Sequence, residues 1–226
     1  MQPLPPFAFV DLNTQEDYFG PSSPLKLPNA AVARKNIALL MAQLQRLRLP
    51  LLAGCDAHGA QDPEFQADGL PPHALAGTPG AARIFETRVR GAFCIPVSGK
   101  RRPWPDLKKI IQEGGQLVLE KNRFDLFSNP ACREVLRPFN VRELVLWGAM
   151  LEHDILATAL TARALGWEVT LVHDAAAFRS QAGEVKARHD LGVRGARLAL
   201  TEEVILRLDW WQRKQVRQTR RIRAGT

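Results

Sequence analysis

Asp56 and His58 form a D-x-H pair, and His73 follows fifteen residues after His58. Two imidazoles and a carboxylate are a donor set that suits Zn²⁺, Fe²⁺ or Mn²⁺, the metals that accept mixed nitrogen and oxygen ligation. Spacing alone does not settle the matter, because D-x-H is common and a lone histidine is as readily a surface or capping residue. A second set of reactive side chains falls where short apolar runs end. Asp11 and Asn13 close the first run, Lys121 another, and Gly148 a third, with Asp154 a few residues on. Asp154, in the segment GAMLEHD, falls in the first turn or two of a helix, where the positive end of the helix dipole favours an anion.

These side chains need a frame, and the chain supplies one. The runs FAFVDLN, LLAGCD, QLVLEK, ELVLWG, WEVTLVHDA and ARLALT read as strands. Between them lie helical segments. Over residues 29–49, Ile37, Leu40, Met41, Leu44 and Leu47 recur at helical spacing, and Pro50 stops the pattern. Further helices are expected over 104–113, 129–139, 152–165 with Gly166 as its stop, 182–191 and 202–213. Residues 83–102 read as a strand pair around AFCIPV. Residues 57–80, polar and rich in Gly and Pro, are too long for an ordinary connection and are expected to be a functional loop. Strands alternating with helices predict βαβ units and one parallel sheet covered on both faces. In such a sheet the ligand site lies beyond the carboxyl ends of the strands, where the reactive residues cluster.

Composition bounds the function classes. The 226 residues are 46% hydrophobic and 24% charged, which excludes a disordered or collagen-like chain. No apolar run approaches the ~18–20 residues needed to span a bilayer. The N-terminal segment has no basic region ahead of its apolar stretch, unlike a signal peptide. Three cysteines, Cys55, Cys94 and Cys132, stand in no metal-ligand spacing and fit a reducing compartment. The expectation is a soluble cytoplasmic protein with one α/β domain over residues 1–211 and a basic C-terminal tail over 212–226. Of the net charge of +8, six positives sit in that tail, on Arg213, Lys214, Arg217, Arg220, Arg221 and Arg223. A nucleic-acid or acidic partner is therefore arguable only for the tail. Such ends are more often solvated than specific binders.

Four segments carry a resemblance: NTQEDYF, CDAH, LPPHALAGTPGA and GAMLEHDILATALTARALGWEVTLVHDA. Their order resembles the isochorismatase-like cysteine hydrolases, in particular the nicotinamidase-like branch. The similarity runs from about Phe7 to Glu203. It implies a three-layer α/β/α sandwich with a six-stranded parallel sheet and a homo-oligomer. The activity implied is hydrolysis of C–N bonds in a small, possibly heteroaromatic, amide. In that family a Cys thiolate attacks the amide carbonyl, an Asp shuttles the proton, a Lys lowers the thiol pKa, and backbone N–H groups hold the oxyanion. The branch adds a metal held by an Asp and two His that grips the substrate.

Carried over residue by residue, the match is uneven. Lys121 falls on the family lysine, and Asp56, His58 and His73 fall on the metal ligands. Asp154 stands where the nucleophilic cysteine is expected. Asn13 takes the place of the catalytic Asp in the ungapped match, while a gapped match would use Asp11. Alternate strand residues share a face, so either could reach the site. Ala149 and Met150 border the nucleophile position and are expected to contact substrate. Phe19, Phe124 and Phe127 either line an aromatic pocket or belong to the core. An exposed Trp210-Trp211 pair would suggest an oligomer contact, and a buried pair ordinary packing.

A carboxylate is a poor substitute for a thiolate toward an amide, and Asn13 cannot shuttle a proton. Asp154 is expected to ion-pair with Lys121 instead. Three readings follow. The protein is a hydrolase that changed to metal-activated water, with Asp154 or Asp11 as base. Or it is a pseudoenzyme that binds a small ligand or partner subunit. Or the domain is a scaffold for the basic tail.

Overall fold

A computed structural model describes residues 4–67, 69–89, 91–98 and 106–224. Its frame is a single parallel sheet of seven strands: β1 (Phe7–Leu12), β2 (Leu51–Asp56), β3 (Phe93–Ile95), β4 (Gln116–Lys121), β5 (Glu143–Gly148), β6 (Glu168–Ala176) and β7 (Arg197–Ala199). The spatial order is β3-β4-β2-β1-β5-β6-β7. After β1 the chain builds outward on one side through β2, and with β5 it returns to the other side of β1. That reversal opens the crevice in which doubly wound sheets bind ligands.

Among the described residues, eight α-helices accompany the sheet: α1 (Glu16–Phe19), α2 (Ala30–Arg46), α3 (Pro63–Ala67), α4 (Leu107–Gln112), α5 (Cys132–Leu136), α6 (Leu156–Ala164), α7 (Gln181–Val193) and α8 (Thr201–Ala224). Successive strand residues face opposite sides, and β1 shows the result. Phe7 and Phe9 pack with Ile37, Leu40 and Leu44 of α2 and with Val204, Leu208 and Trp211 of α8. Ala8, Val10 and Leu12 pack on the other side with Ile111, Val135, Ala159 and Leu191, which come from α4, α5, α6 and α7. Two apolar layers therefore clamp the sheet, which is why its inner strands read as unbroken apolar runs.

The architecture is the expected α/β sandwich, with seven strands instead of six. The additional strand is β3, three residues long on the edge against β4. Among the described residues it is the one strand that the segment around AFCIPV forms, where a strand pair was expected over 83–102, of which residues 90 and 99–102 lie outside the described residues. The helix expected over 129–139 begins only at Cys132 and tightens into a 3₁₀ turn at Arg137–Phe139, where Pro138 has no N–H to continue the ladder. The helix expected from residue 152 opens as a π turn, Leu151–Ile155, before α6 takes over. Helix α8 runs on to Ala224, although Trp211 is the last residue it packs into the core. Beyond Trp211 the sequence has Arg, Lys and Gln and no Gly or Pro before Gly225, so nothing intrinsic stops the helix. The tryptophan pair divides: Trp211 is buried, and Trp210 is 59% exposed.

Candidate functional site

Four strand ends converge on one buried polar cluster. Asp56 and Lys121 are direct cross-strand partners at the ends of β2 and β4. Asn13 follows β1, and Asp154 lies in the π turn after β5. The entry to that turn requires Gly148. Its φ is +118°, and a Cβ there would stand 1.9 Å from the Leu12 carbonyl oxygen. Asn13, Asp56, Lys121 and Asp154 are each no more than 3% exposed.

Lys121 is the hub. Its Nζ donates to Asp154 Oδ1 at 2.6 Å and also to Asp56 Oδ1. The Asn13 amide spans the same two carboxylates, donating to Asp56 Oδ2 at 2.9 Å and to Asp154 Oδ1 at 2.8 Å. The Met150 backbone N–H donates to Asp154 Oδ2 at 3.1 Å. Burial alone would raise Asp56, but the Lys121 ammonium and His58 outweigh it and hold this carboxyl well below its ordinary range. At Asp154 burial wins, with Asp56 adding to the rise, so its pKa is raised despite Lys121. Burial would lower Lys121, yet the two carboxylates raise it, and it stays charged. The position where the resemblance places a thiolate thus holds a carboxylate already bonded on both oxygens.

Beside this hub stand Asp56, His58 and His73, a group whose donor atoms lie within 4.8 Å of one another and could hold a metal ion. His73 Nδ1 lies 2.8 Å from the Pro71 carbonyl oxygen, which can only accept, so this nitrogen carries the proton and Nε2 presents its lone pair to the cluster. Burial lowers the His73 pKa and favours that neutral form. His58 Nδ1 lies 3.2 Å from Asp62 Oδ2, and its Nε2 lies 3.4 Å from Asp56 Oδ2. Neither His58 nitrogen makes an aligned hydrogen bond, although the ring is buried. Nε2 atoms facing inward, with oxygen acceptors behind Nδ1, are the arrangement of metal-ligating histidines. The donor set therefore fits a divalent first-row ion.

The NTQEDYF segment fixes this geometry. Gln15 donates from Nε2 to the carbonyls of Asp56 and Ala81, both at 2.8 Å, and its Oε1 accepts the Asp56 N–H. Asp17 Oδ2 accepts the Ala74 N–H at 2.7 Å, tying α1 to the HALAGTPGA loop beside His73. A Cβ at Gly80 would stand 2.1 Å from the Asp17 carboxylate, so that loop position also needs glycine. The backbone of His58 bridges to the same loop, its N–H donating to Ala74 and its carbonyl accepting from Ala76. Sequence reasoning passed over Tyr18, although it is the chain's sole tyrosine and lies inside a quoted motif. Its hydroxyl donates to Asp56 Oδ2 and lies 3.1 Å from both Asn13 Nδ2 and His73 Nε2.

Other expected residues lie elsewhere. Asp11 is buried, but its hydrogen bonds go to Thr14 and Arg83. The strand alternation that would have made Asp11 equivalent to Asn13 ends at Leu12, because Asn13 turns into the left-handed region with φ +50°, which Asn tolerates. Phe19 belongs to the core beneath α2. Phe124 packs on His153 at 4.8 Å, and Phe127 stacks on Trp167 at 5.7 Å. Ala149 and Met150 are buried beside Asp154. Cys55 and Cys132 are buried and Cys94 is exposed. Burial pushes the Cys55 thiol up to about 12 and also raises Cys132, the reverse of an activated nucleophile. No helix among the described residues is long and apolar enough to cross a membrane.

The fold is a doubly wound α/β sheet with a buried Lys-carboxylate hub at its switch point, where such sheets bind ligands. Residues 7–203 match the Isochorismatase domain, and the chain belongs to that family. No curated protein matches it significantly. Among solved structures it is similar to N-carbamoylsarcosine amidase from Thermoplasma acidophilum, with 22% identity, TM-score 0.67, and 86% of this chain and 96% of that one covered. It is also similar to the nicotinamidase/pyrazinamidase of Bacillus subtilis, with 22% identity, TM-score 0.66, and 85% and 98% covered. A third is PnC1 from L. infantum in complex with nicotinate, with 18% identity, TM-score 0.68, and 88% and 96% covered.

Proposed function

We propose that this chain is a metal-holding member of the Isochorismatase family that has left cysteine-hydrolase chemistry and acts as a pseudoenzyme, binding a small ligand or a partner subunit. One observation carries the reading. The carboxylate of Asp154, at the position that the resemblance gives to the nucleophile, is held on both oxygens by Lys121, Asn13 and the Met150 N–H. A thiolate is absent there, Asn13 cannot exchange a proton, and a carboxylate is a weak nucleophile toward an unactivated amide. Asp56, His58 and His73 would hold Zn, Fe or Mn, and the bound ion would supply Lewis acidity. Because one structural neighbour carries nicotinate, small pyridine carboxylates and amides are the ligands to try first.

The test begins with metal content per chain in the untagged protein and in Asp56→Ala. About one ion, lost in the variant, is expected. Ammonia release from nicotinamide and pyrazinamide should match the blank, and nicotinate should raise the melting temperature. Amide turnover by the unaltered protein would overturn the pseudoenzyme reading. A second reading, metal-activated water with Asp154 as base, is favoured by the inward-facing Nε2 atoms. It requires turnover that a chelator abolishes and that Asp154→Asn loses.

A further inference from the structure

Four donor atoms, not three, meet beside the Lys121 hub. Asp56 Oδ2 lies 3.4 Å from His58 Nε2 and accepts the Tyr18 hydroxyl, and that hydroxyl oxygen lies 3.1 Å from His73 Nε2. We propose that Tyr18 supplies a fourth protein ligand, so that Asp56, His58, His73 and Tyr18 form a closed N₂O₂ set and the ion serves structure instead of catalysis. This rests on the metal reading above and deepens it. Its physical basis is placement. Tyr18 is only 1% exposed, and its ring stands edge-on to His73 at 5.3 Å. Helix α1 is fixed by the Asp17 bond to Ala74 and by Gln15 gripping β2 at Asp56. The hydroxyl therefore has no free path out of the cluster. This oxygen adjoins both Asp56 Oδ2 and His73 Nε2, two of the atoms that would hold the ion. The Asn13 amide, 3.1 Å behind it, seals the far side.

Structural four-coordinate sites are closed by protein, whereas catalytic sites keep a position open for water or substrate. A phenol oxygen in the fourth position removes that opening, in keeping with the loss of the nucleophile a few ångströms away. The phenol proton leaves to solvent as the oxygen ligates, as protons do from other ligating side chains.

Because Tyr18 is the sole tyrosine, ultraviolet difference absorption on adding Zn²⁺ to chelator-stripped wild-type protein reads this one ring. A tyrosinate difference spectrum that saturates at one ion per chain is expected. Co²⁺ should give the intense visible absorption of a four-coordinate site. In Tyr18→Phe the Co²⁺ absorption should weaken as water enters, and affinity should fall at least ~10-fold. An unchanged Co²⁺ spectrum in Tyr18→Phe would overturn the proposal, whatever the affinity. So would tighter binding, which would mean that the hydroxyl obstructs the ion. If Tyr18→Phe fails to fold, Zn²⁺ binding to wild-type protein without a tyrosinate signal overturns it equally. No Zn²⁺ binding by wild-type protein would instead remove the metal reading itself.

Discussion

Asn13→Asp places a third carboxylate against Asp56 and Asp154, with only Lys121 to balance them. The new oxygen would sit where the Asn13 amide nitrogen now lies, 2.8 Å from Asp154 Oδ1 and 2.9 Å from Asp56 Oδ2. At an effective dielectric of ~20, each such contact between full charges costs about 6 kcal/mol. The site will avoid most of that by keeping one carboxyl protonated, so the expected loss at pH 8 is ~3–5 kcal/mol, the usual result of an uncompensated buried charge. In a chain of this size that lowers the melting temperature by roughly 6–20 °C. The added carboxyl has its folded pKa raised above the unfolded ~3.9, so the loss grows as pH rises from about 4. For a loss of ~4 kcal/mol it levels off near pH ~7, because each unit is worth ~1.4 kcal/mol. In an Asp154→Cys background the same substitution leaves two carboxylates around Lys121, and the loss should shrink below ~1 kcal/mol. Urea or thermal unfolding of the four proteins at pH 5 and pH 8 measures the coupling. Equal effects of Asn13→Asp in both backgrounds, or no pH dependence, would refute the shared charge balance.

Three further perturbations test the surrounding geometry. Lys121→Met leaves Asp56 and Asp154 buried without a counter-charge and should cost ~3–5 kcal/mol at neutral pH, with part recovered on acidification; a melt unaffected by the substitution contradicts the hub. Asp11→Ala should destabilise the fold by ~2–4 kcal/mol through the stranded Arg83, yet leave metal stoichiometry unchanged; loss of metal would place Asp11 in the site. Burial raises Glu64 to about 7, so its ionisation costs the folded state stability as pH rises from about 4 toward 7. Glu64→Gln should therefore raise the melting temperature relative to wild type more at pH 8 than at pH 5, and a constant difference between the two would contradict the raised pKa.

Strands β1, β2, β4, β5 and β6 were legible because each is a bounded apolar run in a sheet covered on both faces. Strand β3 was legible only as one of an expected pair around AFCIPV, since a three-residue edge strand has too short a pattern to fix its extent. The end of α8 was misjudged because apolar periodicity stops where burial stops, after Trp211, while helix propensity carries on. Asp56, His58, Lys121 and Asp154 could be found because they terminate strands or follow them closely. Tyr18 could not be found by that rule. It reaches the cluster through α1, a four-residue helix, and its role depends on where one hydroxyl falls relative to two other loops. The choice between Asn13 and Asp11 turned on a single dihedral angle at Asn13, which no residue pattern records.

Read one at a time, Asn13 and Asp154 are two separate losses against the arrangement that the resemblance implies: an acid turned into an amide, and a nucleophile turned into an acid. The geometry makes them a single change. Lys121 and Asp56 stay where they are, and one negative charge moves across the hub from the β1 end to the β5 end. Either substitution alone would unbalance a site from which solvent is excluded. A lone Asp at 154 would crowd three carboxylates around one ammonium, and a lone Asn at 13 would leave Lys121 short of a partner. Together they keep the count of charges and the hydrogen bonds, with the Asn13 amide donating to both carboxylates that a third acid would have repelled. On the pseudoenzyme reading proposed above, a buried charge balance kept without a thiolate serves the fold and what the cluster holds. That favours a retained ion, closed by Tyr18, over a site decaying without constraint.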